Sequence, residues 1–150
     1  MAAPPGIVLR VLSLALPLAA ISAATLPVLA REPAPPDARV RIIWPSNGQV
    51  IKGGKFWLRM GTSNIGVAPA GVQKPKTAHH HLLVDVADLP PLDQAIPNNS
   101  NHLHFGGGQT EVRIELPPGQ HTLQLLMGDA EHVPLDPPLM SKKITVTVPE

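Results

Sequence analysis

The plainest pattern in the chain is an alternation with a period of two. Thr110, Val112, Ile114 and Leu116 are separated by Glu111, Arg113 and Glu115. Successive side chains of an extended backbone point to opposite faces, so this segment predicts a strand with one buried and one wet side. Val40, Ile42 and Trp44 alternate in the same way with Arg39, Arg41 and Ile43, up to the turn signal Pro45-Ser-Asn-Gly48. Further short apolar segments follow: Val50-Ile51, Phe56 to Met60, His79 to Val86, His102 to Phe105, His121 to Met127, and Lys143 to Val148. Turn-forming stretches separate them, among them Gly53-Gly54, Asp88-Leu-Pro-Pro91, Gly106-Gly-Gly108 and Pro117-Pro-Gly119, with a longer loop over Asn64 to Thr77. About seven strands with turns every 8–12 residues predict an all-β fold, an immunoglobulin-like antiparallel β-sandwich. The chain contains 19 prolines, which oppose long helices, and no internal repeat is visible.

The N-terminal pattern is different. Arg10 precedes a long apolar stretch ending in Val28-Leu29-Ala30, with charged Arg31 and Glu32 directly after it. A basic residue, an apolar run and small residues at the −3 and −1 positions describe a secretory signal peptide over residues 1–30. An uncleaved anchor is the alternative, but Pro17, Pro27 and the small-residue ending favour cleavage. Residues 31–38 are dense in proline and read as an extended linker. Residues 39–150 form the sandwich domain, and the expected location is periplasmic or secreted.

Composition narrows the chemistry. There is no cysteine, so disulfides, thiolate metal sites and cysteine nucleophiles are all excluded. Lys and Arg total 12 and Asp and Glu 11, and Arg10 belongs to the signal segment, so residues 31–150 carry 11 of each. A balanced body without a basic run argues against nucleic acid. After signal cleavage nothing in the sequence calls for a membrane.

The histidines are concentrated. All seven, His79, His80, His81, His102, His104, His121 and His132, fall between positions 79 and 132. On a strand, His79 and His81 project from one face ~6.5–7 Å apart, and so do His102 and His104. If those strands were neighbours, four imidazoles would share a patch that a transition metal can bridge. Phase puts His80 on the side of Leu82 and Val84, with His79 and His81 opposite. His80 and His121 read as structural residues bonded to main-chain carbonyls. His121 follows a Pro-Gly turn, where sandwiches often place a corner-fastening tyrosine, and this chain has no Tyr. His132, with Asp129, Glu131 and Asp136 nearby, either completes a site or caps its loop. The candidate metal ligands are therefore His79, His81, His102, His104 and His132. Imidazoles without thiolates suit copper or zinc, and nickel equally. Met60, Met127 and Met140 read as core filler.

Several motifs in fixed order carry a resemblance. These are His79-His-His-Leu-Leu-Val-Asp85, His102-Leu-His-Phe-Gly106, Gly108-Gln-Thr110, Pro117-Pro-Gly-Gln-His-Thr-Leu-Gln-Leu125 and Gly128-Asp129 with His132-Val-Pro134. Together they resemble the bacterial family called domain of unknown function 4399, over about Arg39 to Val148. Ala78 stands where a glycine would be expected before the histidine triplet. The resemblance implies the fold and an exported location, and it implies no activity.

No Gly-x-Ser-x-Gly elbow is present, and the His79-His-His81 spacing departs from the His-x-His-x-Asp-His of metallohydrolases. The chain is therefore expected not to be an enzyme. Two functions from different classes remain: an exported module that binds a metal ion through its His-x-His pairs, and an envelope interaction module, its partner another envelope protein, with structural histidines.

Overall fold

The structure is a computed structural model that describes residues 30–150, so the signal-peptide reading of residues 1–30 lies almost wholly outside the described residues. The fold is all-β. Its strands are β1 (Arg39–Trp44), β2 (Gln49–Val50), β3 (Lys55–Ser63), β4 (Gly66–Val67), β5 (Thr77–Val84), β6 (His102–His104), β7 (Glu111–Glu115), β8 (Gly119–Gly128) and β9 (Ile144–Val148). They form two sheets. One has the order β1-β3-β7, and the other runs β2-β9-β8-β5. The free edge of β5 is shared in succession by β4, along Thr77–Ala78, and by β6, along His81–Leu83.

This is the expected all-β class with one short strand, β4, added inside the loop expected over Asn64 to Thr77, and the pairing is not uniformly antiparallel. β2 lies parallel to β9, and β4 lies parallel to β5. Both are two-residue strands inside segments rich in turn residues, too short to show any periodicity. The β5 strand stops at Val84 because Asp85 takes a left-handed conformation, φ 56°.

Alternation explains the core. Val40, Phe56, Leu58, Met60 and Ile114 from the first sheet meet Leu82, Val84, Leu123, Leu125, Met127 and Val146 from the second. The outer side of the second sheet is covered as well. Leu83 and Leu126 pack there with Ile96, Val86 and Met140, beneath the loops that follow β5 and β8. Hence β5 is buried on both faces, although its sequence is half histidine at the start.

Three local features differ from the simplest reading. Trp44 does not continue the inward alternation of Val40 and Ile42, because the β1–β3 register shifts between Ile42 and Trp44. The bulge sends Trp44 to the solvent side, opposite Arg59. Residues 31–38 are extended but docked along the loop before β9 rather than free. The Ala34 amide donates to the Asp136 carbonyl (2.8 Å) and the Asp136 amide to the Glu32 carbonyl (2.9 Å). The Arg31 guanidinium adds bonds to the carbonyls of Pro134 and Leu135 and to the Asp136 carboxylate. Proline removes donors from this stretch but leaves the carbonyls and the remaining amides free to pair.

His121 fastens a corner as expected. Its Nε2 lies 2.9 Å from the Pro117 carbonyl and its Nδ1 2.7 Å from Asp85 Oδ2. The same carboxylate accepts the Thr122 amide through Oδ1, tying the end of β5 to β8. Burial opposes a charge on this ring, but the bonds to Asp85 and Pro117 outweigh it and raise the His121 pKa above its ordinary value. Both ring nitrogens face acceptors, so the imidazolium is the better-matched form.

A group whose pKa is raised by folding stabilises most below its unfolded value of ~6.5 and loses that contribution as pH climbs through the folded value. Urea titrations of wild type and His121→Gln should therefore differ most at pH 5.5–6 and converge on the alkaline side. A difference that grows with pH would show that the Asp85 pair does not hold the charged ring.

Candidate metal centre

Four histidines converge on the outer side of the second sheet. The antiparallel pairing of β5 and β6 sets His81 opposite His104 and Leu83 opposite His102. Paired residues on neighbouring strands have side chains on the same face ~4.5–5.5 Å apart, so this register alone brings His104 to His81. His79 follows on the same face two residues earlier. His132 arrives from the loop after β8.

The rings form one packed group. Centroids are 4.8 Å apart for His79–His81, 5.0 Å for His79–His104 and for His81–His104, and 4.7 Å for His104–His132. His132 lies 5.1 Å from His79 and 6.0 Å from His81. His79 Nε2 and His81 Nε2 are 3.0 Å apart. A ligand atom from each of His79, His81 and His104 lies within 4.8 Å of the others. Metal–nitrogen bonds of ~2.0–2.1 Å in a tetrahedron put ligand nitrogens ~3.3 Å apart. One edge is thus already close to that length, and the others contract to it by small ring rotations.

Two glycines make the space. Gly128 is paired with His79 across β5–β8, and a Cβ there would come within 2.9 Å of His81 Nε2. At Gly106 a Cβ would clash with the edge of the His104 ring, 2.6 Å from its Nε2. The loop carrying His132 is built on Asp129. Its Oδ1 accepts the amides of Glu131 and Val133 (both 2.9 Å), and its carbonyl accepts the His132 amide at 3.0 Å. His132 itself is left-handed, φ 71°, and its carbonyl accepts the Ile96 amide.

Of the candidate ligands, the structure brings His79, His81, His104 and His132 together and leaves His102 apart. His102 stands one step further along β6, beside Leu83, with its Nδ1 3.0 Å from Asn99 Oδ1. The two His-x-His pairs are out of step by two residues, so only one member of the second pair meets the first. His80 points the other way, its Nδ1 bonded to the Gln109 carbonyl at 3.2 Å. Sequence reading missed the role of the glycines, and it noted Asp129 beside His132 but not its part in building the loop. A glycine after each of two histidine-bearing strands was the available signal for the first, and the Asp-x-x-His spacing for the second.

The group is electrostatically neutral by construction. His79 and His81 are almost fully buried, with 1% and 0% exposure. Burial first, then the neighbouring histidines, lowers the pKa of His79 to about 4 and that of His81 to about 2. His104 is lowered by burial and by His132. His79, His81 and His104 therefore offer lone pairs at neutral pH, the form in which imidazole binds metals. His81 Nδ1 and His104 Nε2 in the cluster, and His80 Nε2 on the core side, are buried with no hydrogen-bond partner among the described residues. Orphaned buried nitrogens are rare in folded proteins and call for a missing partner, such as an ion or a water.

Fold and site together define a small all-β protein with a buried all-imidazole cluster. The chain belongs to the family described as Domain of unknown function (DUF4399), whose model matches residues 58–149, a span that contains every member of the cluster. No curated protein matches the chain.

Groups whose pKa is depressed by folding stabilise the protein above their unfolded value, ~6.5, and that stability is lost as pH falls toward the folded value. Metal-free protein should lose stability steadily from pH 6.5 down to about 4, read from urea midpoints in the presence of a chelator. His79→Gln/His81→Gln should flatten that slope, and an unchanged slope would count against the cluster as its source. Gly128→Ala, which forces the His81 ring aside, should lower stability by roughly 1–3 kcal/mol in the same assay.

Proposed function

We propose that this protein is an exported, non-catalytic module that binds one transition-metal ion through His79, His81, His104 and His132. The observation that carries this reading is the convergence of four imidazoles from two paired strands and one loop. Export rests on the signal pattern of residues 1–30.

The donor set selects the class of ion. Neutral nitrogen ligands without thiolate or carboxylate suit copper(II), zinc and nickel, whereas calcium and magnesium prefer oxygen. A loaded site keeps the whole charge of the ion, because no ligand is anionic. The non-catalytic reading rests on the sequence, which has no Gly-x-Ser-x-Gly elbow and departs from the His-x-His-x-Asp-His spacing of metallohydrolases.

The second reading, an envelope module with structural histidines, makes the opposite demand on the metal-free protein. Buried polar atoms without partners destabilise a fold by ~1–3 kcal/mol each, so a purely structural cluster is a poor design here. With a chelator present, His81→Leu should be at least as stable as wild type under the metal reading and clearly less stable under the structural one.

Calorimetric titration of the purified chain with copper(II) and with zinc at pH 7.5 tests the assignment. The expected result is one equivalent bound with a dissociation constant below ~10 μM, equivalent to about −7 kcal/mol. His81→Ala or His104→Ala should weaken binding at least a hundredfold, while His102→Ala and His121→Gln should leave it within a few-fold. Absence of binding tighter than ~10 μM for either ion would remove the reading.

A further inference from the structure

The outer face of the β1-β3-β7 sheet is unlike the rest of the surface. Three large apolar side chains stand exposed on it: Ile43 at 52%, Trp57 at 48% and Trp44 at 38%. The bulge in β1 is what gathers them, because it turns Trp44 to the same side as Ile43. Gly61 on the middle strand supplies the floor. A Cβ there would meet Ile43 Cδ1 at 2.8 Å and Arg41 Cζ at 3.7 Å, so both side chains lie flat across it.

The charges around this strip are lopsided. Register places Lys55 opposite Glu115, Trp57 opposite Arg113 and Arg59 opposite Glu111. Arg59 pairs with Glu111 at 2.6 Å and Lys55 with Glu115 at 3.4 Å. Arg39, Arg41 and Arg113 have no carboxylate within ion-pair distance among the described residues. The body as a whole balances, so these three arginines form a local excess that net charge hides.

We propose that this face docks on the surface of an anionic lipid bilayer. An aliphatic side chain and two indoles on one exposed sheet face suit the boundary between headgroups and acyl chains, where tryptophan is enriched. Arginine and lysine can lay their stems along such a surface and set their heads against phosphates. Juxtaposed cations strengthen attraction to an anionic leaflet about fivefold each. A sugar chain or an acidic protein segment would use the arginines but has no call for exposed Ile43. The histidine cluster lies on the opposite outer side of the sandwich, beyond the second sheet, so a docked molecule presents it away from the bilayer. The sequence offered no such reading, because the strip exists only once the bulge and the strand register are formed.

The chain carries its own reporter. Trp44 and Trp57 are its only two tryptophans and it has no Tyr, so intrinsic emission comes from this face alone. The purified full chain is mixed with vesicles of phosphatidylglycerol and phosphatidylcholine, or of phosphatidylcholine alone, with and without brominated acyl chains. The expected result is a blue shift and bromine quenching with the anionic vesicles only, reversed by high salt. Arg41→Gln/Arg113→Gln should weaken binding about 25-fold, and Ile43→Ser should weaken it with the charges intact. No binding to anionic vesicles overturns the proposal. So does binding without a change in tryptophan emission, or binding indifferent to both variants, since the chain is then held by another segment. A blue shift without lipid, accompanied by dimers in sedimentation, overturns it in favour of a second copy as the occupant.

Discussion

The constraint on which the site depends is the register between β5 and β6. With His81 set against His104, one face of a central strand becomes a floor of imidazoles, and burial keeps His79 and His81 out of contact with bulk solvent. A shift by one residue would turn the whole set inward, where Leu82 and Leu103 now pair. The hydrophobic side of the same strands prevents that slip, since Leu82 and Val84 are locked into the main core. The apolar half of β5 thus fixes where the polar half can go.

The same strand pays an unusual electrostatic penalty. Several neighbouring rings repel one another's protons, and ring nitrogens are left without partners. Such an arrangement is hard to justify as packing alone, because apolar side chains would fill the same volume without the desolvation loss. A bound cation would use the lone pairs that burial and mutual repulsion keep free. Contrast His121, where both nitrogens are matched and the ring strengthens a corner. Two histidines in one domain therefore serve opposite ends, and environment alone separates them.

Much of the fold was legible because alternation reports directly on a half-buried sheet. The strand containing Val112 and Ile114, and the opposing sides of His80 and His81, follow from a period of two. Parallel pairing of the two-residue strands did not, since Gln49–Val50 and Gly66–Val67 are too short to carry a pattern. Within the site, sequence supplied the right residue types but could not choose among them. Separation along the chain says nothing about register, so His102 and His104 looked equivalent until pairing placed one at the cluster and the other beside Leu83. Gly106 read as a turn residue and Gly128 only as part of a motif, while both leave room for rings. Trp44 shows the same limit, because a bulge reverses a face without any mark in the alternation that precedes it.

The most direct measurement of the central claim is a crystal structure of the protein grown with copper(II) or zinc, with data collected at the absorption edge of the metal. The predicted result is a single anomalous peak ~2.0–2.1 Å from ring nitrogens of His79, His81 and His104, with His132 closing over it. A peak at His102 or at the surface, or no peak while the four rings keep their present spacing, would contradict it.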